Sequence, residues 1–311
     1  MKIHTLDFEN VVDPAVKKHF VSNYNENKVD PSLFFSIGTQ ESKTDTFQNY
    51  TETTELSAVG ESESYAEDSP IESYGTSLTP TKYGKLITVT LEMQKFAKTK
   101  KIYDAAKFHG RAAARTEQKQ IASLFNNSTS SSHLSMTDAV SLGNASHPRA
   151  DGGTAQSNLT SYTLTDPNLE AAILKFESFR DDRGNLLSLF PDMVVVPNTL
   201  RKSAKIILGS EGQSDTSDNN INVYAGGDGD YGTMKLVSWS RLNAANGGSD
   251  SAWYLIDSSQ DEAFMWQWVE KANVMRDEAN GFRTDEVLYK VRDWFSWGWR
   301  DWRKILVNTG A

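Results

Sequence analysis

Residues 95–126 read KFAKTKKIYDAAKFHGRAAARTEQKQIASLFN, and this stretch is the clearest structural signal in the chain. Ala, Lys, Gln, Arg and Glu dominate it, and all five are good helix formers. At about 1.5 Å per residue the stretch predicts one helix of roughly 45 Å. Eight basic residues and two acidic ones give it a net charge of +6. For a single helix an ordinary solvated face is the simplest explanation of that charge, so its meaning depends on the neighbouring segments.

The segment before this helix, residues 41–81, has the opposite charge. Nine acidic residues and one lysine give it a net charge of −8. A disordered acidic linker has a similar composition, but Gly60, Pro70 and Gly75 are spaced like turns in a long hairpin. The segment also contains apolar residues that a solvated linker does not need, namely Phe47, Tyr50, Leu56, Val59, Tyr65, Ile71 and Tyr74. Since such a hairpin has little core of its own, we expect it to pack on another element or another subunit.

Helices and strands alternate in the rest of the chain. One helix is predicted to begin at Asp13-Pro14, and another to run from Asp166-Pro167 to Gly184. The apolar faces of residues 82–94 predict a strand that is covered on both sides. A short helix is predicted at 199–208, and further strands at 192–197, 235–242, 252–257, 262–275 and from 287 onward. All eight Trp lie after residue 238, which places the densest apolar burial in the C-terminal third.

Composition excludes several classes of protein. The chain has 311 residues, enough for one large domain or two ordinary ones, and it has no Cys, which excludes disulfides and thiolate catalysis. A net charge of −9 excludes a protein whose main task is to grip nucleic acid through a basic surface. No stretch approaches the ~20 apolar residues that span a bilayer, and the N-terminus lacks the apolar run of a secretion signal. We therefore predict a soluble protein that is used without export and without membrane contact.

Catalytic and metal-binding patterns are weak. The five His lack metal-ligand spacing, and no Gly-x-Ser-x-Gly motif is present. Gly84-Lys85 lacks the upstream Gly of a phosphate loop. Asp228 and Asp230, in the Gly-rich segment 209–232, have the chemistry of Ca²⁺ ligands, but further acidic ligands at suitable spacing are missing, so a plain surface loop is favoured. We predict no catalytic residues, no cofactor, no metal and no enzymatic activity.

The two opposite charges lead to a hypothesis about contacts between subunits. Single surface ion pairs are worth little, but a field of them can set the register between subunits. We expect the acidic hairpin of one subunit to lie on the basic helix of a neighbour. The acidic residues of this contact are Glu52, Glu55, Glu61, Glu63, Glu67 and Asp68, and the basic residues are Lys98, Lys100, Lys101, Lys107, Arg111 and Arg115.

The order of these elements resembles the major capsid proteins of tailed bacteriophages, which have the Hong Kong 97-type fold. Residues 58–93, AVGESESYAEDSPIESYGTSLTPTKYGKLITVTLEM, are similar to the extended loop and returning strand of that family, particularly in Mu-like prophage head subunits. Residues 95–126 look like its spine helix. Residues 166–208 resemble its axial domain, and residues 282–308 resemble its C-terminal strands. The resemblance covers most of the chain and depends mainly on the order of the elements.

The resemblance implies an α+β architecture, the Hong Kong 97-like capsid fold. Its parts would be an N-terminal arm at 1–43, an extended loop (a β-hairpin) at 44–92, a peripheral domain at 93–165 with the spine helix at 95–126, an axial domain at 166–260, and C-terminal strands at 261–311 that return to the peripheral domain. The arm and the loop would reach over neighbouring subunits. The Gly-rich segment 209–232 would surround the central axis of a capsomer.

The implied function is that of a major capsid protein. Subunits would self-assemble as hexamers and pentamers, in the bacterial host cytoplasm, into the icosahedral shell of the virion around double-stranded DNA. Other implied partners are a portal protein, a decoration protein as an optional addition, and the packaged DNA through weak non-specific contact. Because the arm begins within a few residues of Met1, scaffolding is expected from a separate protein or from a region already missing from this chain. Residues 44–81 contain no Lys, so we expect no isopeptide crosslink from the loop.

Two alternatives remain open at this point. An encapsulin-like cellular nanocompartment has the same fold but encloses cargo enzymes instead of DNA. A β-rich carbohydrate-binding or hydrolytic protein is the alternative from another class, in which Trp294, Trp297 and Trp299 would stack on sugars. Those Trp must be exposed in a lectin and mostly buried in a shell protein, so their exposure separates the two classes.

Overall fold

The computed structural model of the chain describes residues 5–25, 29–90, 92–93, 96, 99–131, 138–209, 222, 224, 234–259, 262–277 and 286–310. Its α-helices are α1 (Thr5–Tyr24), α2 (Thr99–Asn126), α3 (Asp166–Glu177) and α4 (Arg201–Gly209). Its strands are β1 (Ser36–Thr39), β2 (Asp45–Phe47), β3 (Thr76–Leu78), β4 (Thr81–Thr90), β5 (Leu159–Thr160), β6 (Met193–Pro197), β7 (Lys235–Trp239), β8 (Trp253–Ile256), β9 (Phe264–Asp277), β10 (Glu286–Trp299) and β11 (Ile305–Asn308). The mixed α+β class is confirmed. Over these ranges no helix combines the length and the apolar character that a membrane span requires.

A four-stranded sheet in the order β1-β9-β10-β4 forms one layer of the molecule. The long strands β9 and β10 are antiparallel, β4 lies antiparallel to β10, and β1 runs parallel to β9. α1 and α2 pack on this sheet through a cluster in which Ile102 of α2 meets Val89 of β4 and Val291 of β10. The expectation that the strand at 82–94 is covered on both faces is wrong. β4 is an edge strand, and Leu86 in its middle is 56% exposed.

α1 packs against α2 within the same subunit. Val16 and Phe20 are buried in this contact, and the Tyr24 hydroxyl donates a hydrogen bond to the Glu117 carboxylate of α2. Burial, together with the nearby Glu117 charge, raises the pKa of Tyr24. Gly110 allows the two helices to approach closely, because a Cβ there would lie 2.5 Å from the Phe20 carbonyl oxygen. This close contact explains why position 110 is a glycine, although a glycine inside a helix lowers stability by about 1 kcal/mol relative to alanine.

The start of α1 differs from the sequence prediction. The expected start at Asp13-Pro14 is wrong, because the helix begins at Thr5 and Pro14 lies inside it. A proline ring removes one intrahelical hydrogen bond and favours a kink. The burial of Val16 and Phe20 against α2, on the C-terminal side of the proline, offsets this cost. Tertiary packing therefore overrides the local signal that placed the helix start at the proline.

A five-stranded sheet in the order β5-β11-β8-β6-β7 forms the second layer. Every residue of β6, β8 and β11 is buried. α3 packs on this sheet with Leu169, Ile173 and Phe176, none of them exposed. The C-terminal turns of α2 enter the same core, where Phe125 meets Phe34 edge-on at 5.0 Å between ring centroids. α2 therefore joins the two layers, with one end in each apolar cluster.

The end of α3 is a second correction. The helix ends at Glu177 and not at Gly184, because the chain turns into a hydrogen-bonded loop. In that loop one Asp181 carboxylate oxygen accepts from the backbone nitrogens of Arg183 and Asn185 at 2.8 and 2.7 Å. Gly184 has a φ of +90°, which a glycine adopts without strain. Asp181 and Gly184 therefore shape a rigid turn that projects from the end of the helix.

The C-terminal strands are divided between the two sheets. The long strands β9, at 264–277, and β10, at 286–299, lie in the four-stranded sheet. β11 instead pairs with β8 and β5 in the five-stranded sheet. Four consecutive buried residues favour this central position in a sheet covered on both faces. The domain limits stay predictions.

Candidate assembly surface

The acidic segment forms a projecting loop that is paired only near its base. β2 and β3 form a short antiparallel ladder, followed by a single bridge between Tyr50 and Glu72. Beyond that bridge the described backbone has no strand, so the expected long hairpin is confined to the base of the loop. A turn closes the tip, where Gly60 and Glu63 exchange hydrogen bonds of 2.8 and 3.2 Å. Residues 52–72 are exposed throughout, so we call residues 52–72 the acidic loop.

A turn at the end of α3 holds one side of the acidic loop. Arg183 forms an ion pair with Asp68, and its other terminal nitrogen donates to the Ser69 carbonyl at 2.5 Å. The Asn185 amide donates to the Thr53 carbonyl at 3.3 Å. Hydrogen bonds, first from Arg183 and then from the Thr54 backbone and hydroxyl, hold the pKa of Asp68 below its usual range. Asp68 is thus engaged within its own subunit.

Two arginines at the end of β10 anchor the base of the acidic loop. Arg300 donates from Nε and Nη2 to the Asn49 side-chain oxygen at 3.0 and 2.8 Å, and the Asn49 amide donates back to the Arg300 carbonyl at 3.1 Å. The Arg303 guanidinium contacts Asp182 at 2.7 Å. Asp182 in turn accepts from the Ser73 hydroxyl at 2.5 Å. These contacts fix the direction in which the loop leaves the subunit.

Behind this anchor lies a buried polar cluster centred on His147. The ring stacks on Trp302 at 4.2 Å, and the Arg303 guanidinium lies 4.6 Å from the same indole. The two N–H groups of the Asn158 amide face three backbone carbonyls at 2.8, 3.1 and 3.3 Å, one N–H being shared, and its side-chain oxygen accepts from His147 Nε2 at 2.9 Å. The other ring nitrogen lies 2.5 Å from Asp138. The cluster connects the loop anchor to the core.

The outward face of α2 carries the second half of the predicted contact. Lys100, Arg111 and Arg115 are exposed, and Lys107 is half-buried with its ammonium 3.3 Å from Asp104. Phe108 lies on this face and is 61% exposed, which is unusual for a large apolar side chain between charged neighbours. Lys98 falls outside the described residues, and the side chain of Lys101 is not described. We call this set of residues, 100–115, the helix face.

Within one subunit the acidic loop and the helix face remain apart. Glu52, Glu55, Glu61, Glu63 and Glu67 are all exposed. No hydrogen bond or ion pair among the described residues joins them to the helix face. Sequence reasoning missed Arg183, Arg300 and Phe108. Asp68 and Asn49, the partners of the two arginines, are far away from them in sequence, and nothing in the local pattern distinguished Phe108 from a buried residue of the helix.

The other sites considered from the sequence, a sugar-stacking surface and a metal site, are either not formed by the described residues or lie outside them. Trp299 is 2% exposed, and Trp294 and Trp297 are half-buried, so these residues do not form an open sugar-stacking surface. The described residues contain no group of three His, Asp or Glu that is suitable for a metal ion. Asp228 and Asp230 lie outside the described residues, and so does nearly all of segment 209–232.

Comparison with known proteins decides the family. A family model described as "Phage capsid protein" matches residues 73–308. The chain belongs to this phage capsid protein family. It is a component of the virion capsid, and its role there is structural and not enzymatic. The search of curated proteins gives no match.

Solved structures share the Hong Kong 97-type fold with this capsid protein. It is similar to a protein of Microbacterium phage Oxtober96, with a TM-score of 0.53, 10% identity, and 90% of each chain covered. It is also similar to the Cyanophage Pam1 capsid, with a TM-score of 0.51, 10% identity, and 95% and 93% coverage. A virus-like particle from Pyrococcus furiosus gives a TM-score of 0.52 at 8% identity, with 95% and 98% coverage. At such identities these likenesses show the fold alone, so the third does not favour a nanocompartment.

Proposed function

We propose that the capsid shell is held together by the acidic loop of one subunit lying on the helix face of the next. Opposite charge is the observation that carries the proposal. Residues 41–81 have a net charge of −8 and residues 95–126 a net charge of +6. Complementary fields of this size steer association and fix register. Because the two surfaces do not meet within a subunit, a second subunit is the natural source of each partner.

Apolar residues support the same arrangement. Leu56 is fully exposed and Tyr65 is 83% exposed on the acidic loop, while Phe108 is 61% exposed on the helix face. Ion pairs at a surface are worth about 0–1 kcal/mol each, so charge alone supplies modest affinity. Covering an aromatic side chain contributes more, since roughly 25 cal/mol is gained per Å² of apolar surface removed from water. We assign the affinity to the apolar contacts and the register to the charges.

The anchor at the loop base makes this contact possible at low entropic cost. A free loop loses conformational entropy when it binds, at about 1–2 kcal/mol per ordered residue. The contacts of Arg183, Arg300 and Arg303 order the base before assembly, so that only the outer part of the loop has to be ordered by the neighbour. Asp68 belongs to this anchor and is removed from the set of proposed intersubunit residues. Glu52, Glu55, Glu61, Glu63 and Glu67 remain in it.

Further features of the proposed assembly follow from the family resemblance. Subunits form hexamers and pentamers, and a separate scaffolding protein and a portal protein take part in building the head. The packaged double-stranded DNA makes weak, non-specific contact with the shell, in keeping with the net charge of −9. A decoration protein is an additional candidate partner.

Charge reversal tests the proposed contact. We choose Glu52→Lys, Glu55→Lys and Glu61→Lys together, because all three side chains are exposed. Glu63 is left unchanged because its carboxylate accepts from the Gly60 nitrogen and stabilises the tip. The triple variant should fold normally and fail to form particles when it is expressed with its scaffolding protein. Particle formation is measured by electron microscopy after size-exclusion chromatography.

A compensating variant provides the matched control. Lys100→Glu, Arg111→Glu and Arg115→Glu reverse the helix face, and this triple variant should also fail to assemble. A chain that carries both triple changes places lysines of the loop opposite glutamates of the helix face at the changed positions, and it should recover part of the assembly that each triple variant loses. Normal particles from either triple variant alone, or no recovery in the combined chain that retains its fold, would contradict the proposed contact.

A further inference from the structure

A second surface feature lies beside the turn at the end of α3. It is a cavity of about 530 Å³ between segment 149–157 and the end of α3, and it is separate from the assembly surface. Three basic side chains line it, together with hydroxyl groups and one aromatic ring. The lining residues that matter here are Arg149, Thr154, Ser157, Lys175, Phe179 and Arg180.

The charge of this cavity is strongly positive. Arg149 pairs with Asp151, but among the described residues neither Lys175 nor Arg180 forms an ion pair with a carboxylate. The C-terminal end of α3 also faces this region and contributes roughly half a negative charge. The positive charge of the three basic side chains therefore exceeds the negative charge of Asp151 and the helix end by about 1.5 elementary charges. An anion would neutralise this excess.

The guanidinium of Arg149 is held in a fixed position. A Cβ at Gly153 would lie 2.7 Å from its central carbon, and one at Gly184 would lie 2.8 Å from Nη2. The planar group therefore occupies a slot that only glycines leave open on both sides. Its Nε is buried and donates no hydrogen bond in the described structure. A buried donor without a partner costs about 1–3 kcal/mol, which a bound acceptor would recover.

Lys175 is positioned from the other wall. Its ammonium donates to the Ser157 hydroxyl at 3.3 Å and to the Leu159 carbonyl at 3.0 Å. Both acceptors are neutral, and one of its three N–H groups remains for a ligand. Burial lowers the pKa of Lys175, which is the expected effect of a desolvated cation without a counter-charge. A bound anion would oppose that shift.

We propose that this cavity binds a phosphate group. A tetrahedral phosphate presents acceptors in several directions, which suits two guanidinium groups and an ammonium on different walls. A carboxylate is planar and has fewer acceptor sites, so it would leave part of this donor set unused. The volume exceeds that of a single phosphate and leaves room for a phosphodiester or a nucleotide. The two sources of the group are free phosphate compounds and the backbone of DNA.

Isothermal titration of the full-length protein with inorganic phosphate, at constant ionic strength, tests the proposal. We expect saturable binding with one phosphate per chain. Lys175→Gln and Arg180→Gln should each weaken it at least tenfold. The matched control is Lys202→Gln, which removes an exposed charge from α4 and should leave the affinity unchanged. Thermal unfolding of each variant without phosphate verifies that the fold is retained.

Competition with DNA distinguishes the two sources of the phosphate group. If a short DNA duplex displaces phosphate from the wild type but does not bind the Arg180→Gln variant at this cavity, the backbone phosphodiester is a ligand. If phosphate binds and DNA does not compete, free phosphate compounds are the ligand. Both results support a phosphate site. Absence of saturable binding, equal binding of acetate, or equal affinity in the Lys175→Gln and Arg180→Gln variants overturns it.

Discussion

Replacing Phe108 with alanine should weaken shell assembly and leave the stability of the subunit unchanged. A phenylalanine buries about 150–250 Å² when it is fully covered. Phe108 is 61% exposed in the subunit, so a covering loop would remove roughly 120 Å² from water. At about 25 cal/mol per Å² this contributes about 3 kcal/mol, of which alanine would retain about a third. The expected loss is therefore about 2 kcal/mol for each contact.

The assay is the critical concentration for assembly, measured by sedimenting particles from a dilution series of purified subunits with scaffold. Each subunit provides one helix face, so one contact is weakened per subunit. A loss of about 2 kcal/mol raises the critical concentration roughly 30-fold. Phe108→Leu retains most of the apolar area at the same position and should assemble almost normally.

Urea unfolding distinguishes an assembly defect from a folding defect. An exposed position away from special features changes stability by about 0.5 kcal/mol or less. If Phe108→Ala keeps its unfolding midpoint and its critical concentration stays within twofold of the wild type, the loop does not cover Phe108. The proposed division between apolar affinity and charged register would then be refuted.

Three further predictions concern the fold and the covalent state. Asn158→Asp replaces the buried amide donor to the backbone carbonyls with an oxygen, so urea unfolding should show a loss of about 3 kcal/mol or more. The matched control Asn273→Asp, at an exposed position, should change stability little, and similar losses in both variants would contradict the cluster. Burial raises the pKa of Tyr254 from 10.0 to about 12, so its contribution is complete below pH 10 and falls by about 2–3 kcal/mol as the pH rises toward 12. Tyr254→Phe should remove that part of the pH dependence, and an unchanged profile would exclude it. Particles boiled in detergent should run as a single 34.7 kDa band, because the loop has no lysine, and a ladder of multimers would show that a crosslink exists.

Local patterns were sufficient to predict the main elements. The helix former content of residues 95–126 predicted α2, whose bounds are Thr99–Asn126. The Val-rich run at 192–197 predicted β6, at Met193–Pro197. Asp166-Pro167 marked the first residues of α3 correctly. In each case the signal lies within about four residues of the feature that it predicts, so no knowledge of the tertiary fold is needed.

Contacts between distant residues could not be predicted in this way. Asn49 and Arg300 are 251 positions apart, yet they exchange three hydrogen bonds. Asp182 looked like any other carboxylate of an acidic chain until the fold placed Arg303 beside it. The helix start predicted at Asp13-Pro14 was wrong for a related reason. The helix that contains Pro14 is stabilised by packing on α2, which is distant in sequence. Sequence spacing carries no direct record of which surfaces the chain brings together.

Because the acidic loop and the helix face are separate surfaces of opposite charge, they also disfavour certain contacts between subunits. Two subunits that meet loop to loop would bring together two segments, residues 41–81, of net charge −8 each, and two that meet helix to helix would bring together two segments, residues 95–126, of net charge +6 each. Both arrangements are repulsive. A contact of the acidic loop on the helix face brings unlike charges together, and where it repeats head to tail it builds closed rings or continuing arrays. The same two surfaces thus disfavour loop-to-loop and helix-to-helix pairs before any shell has formed.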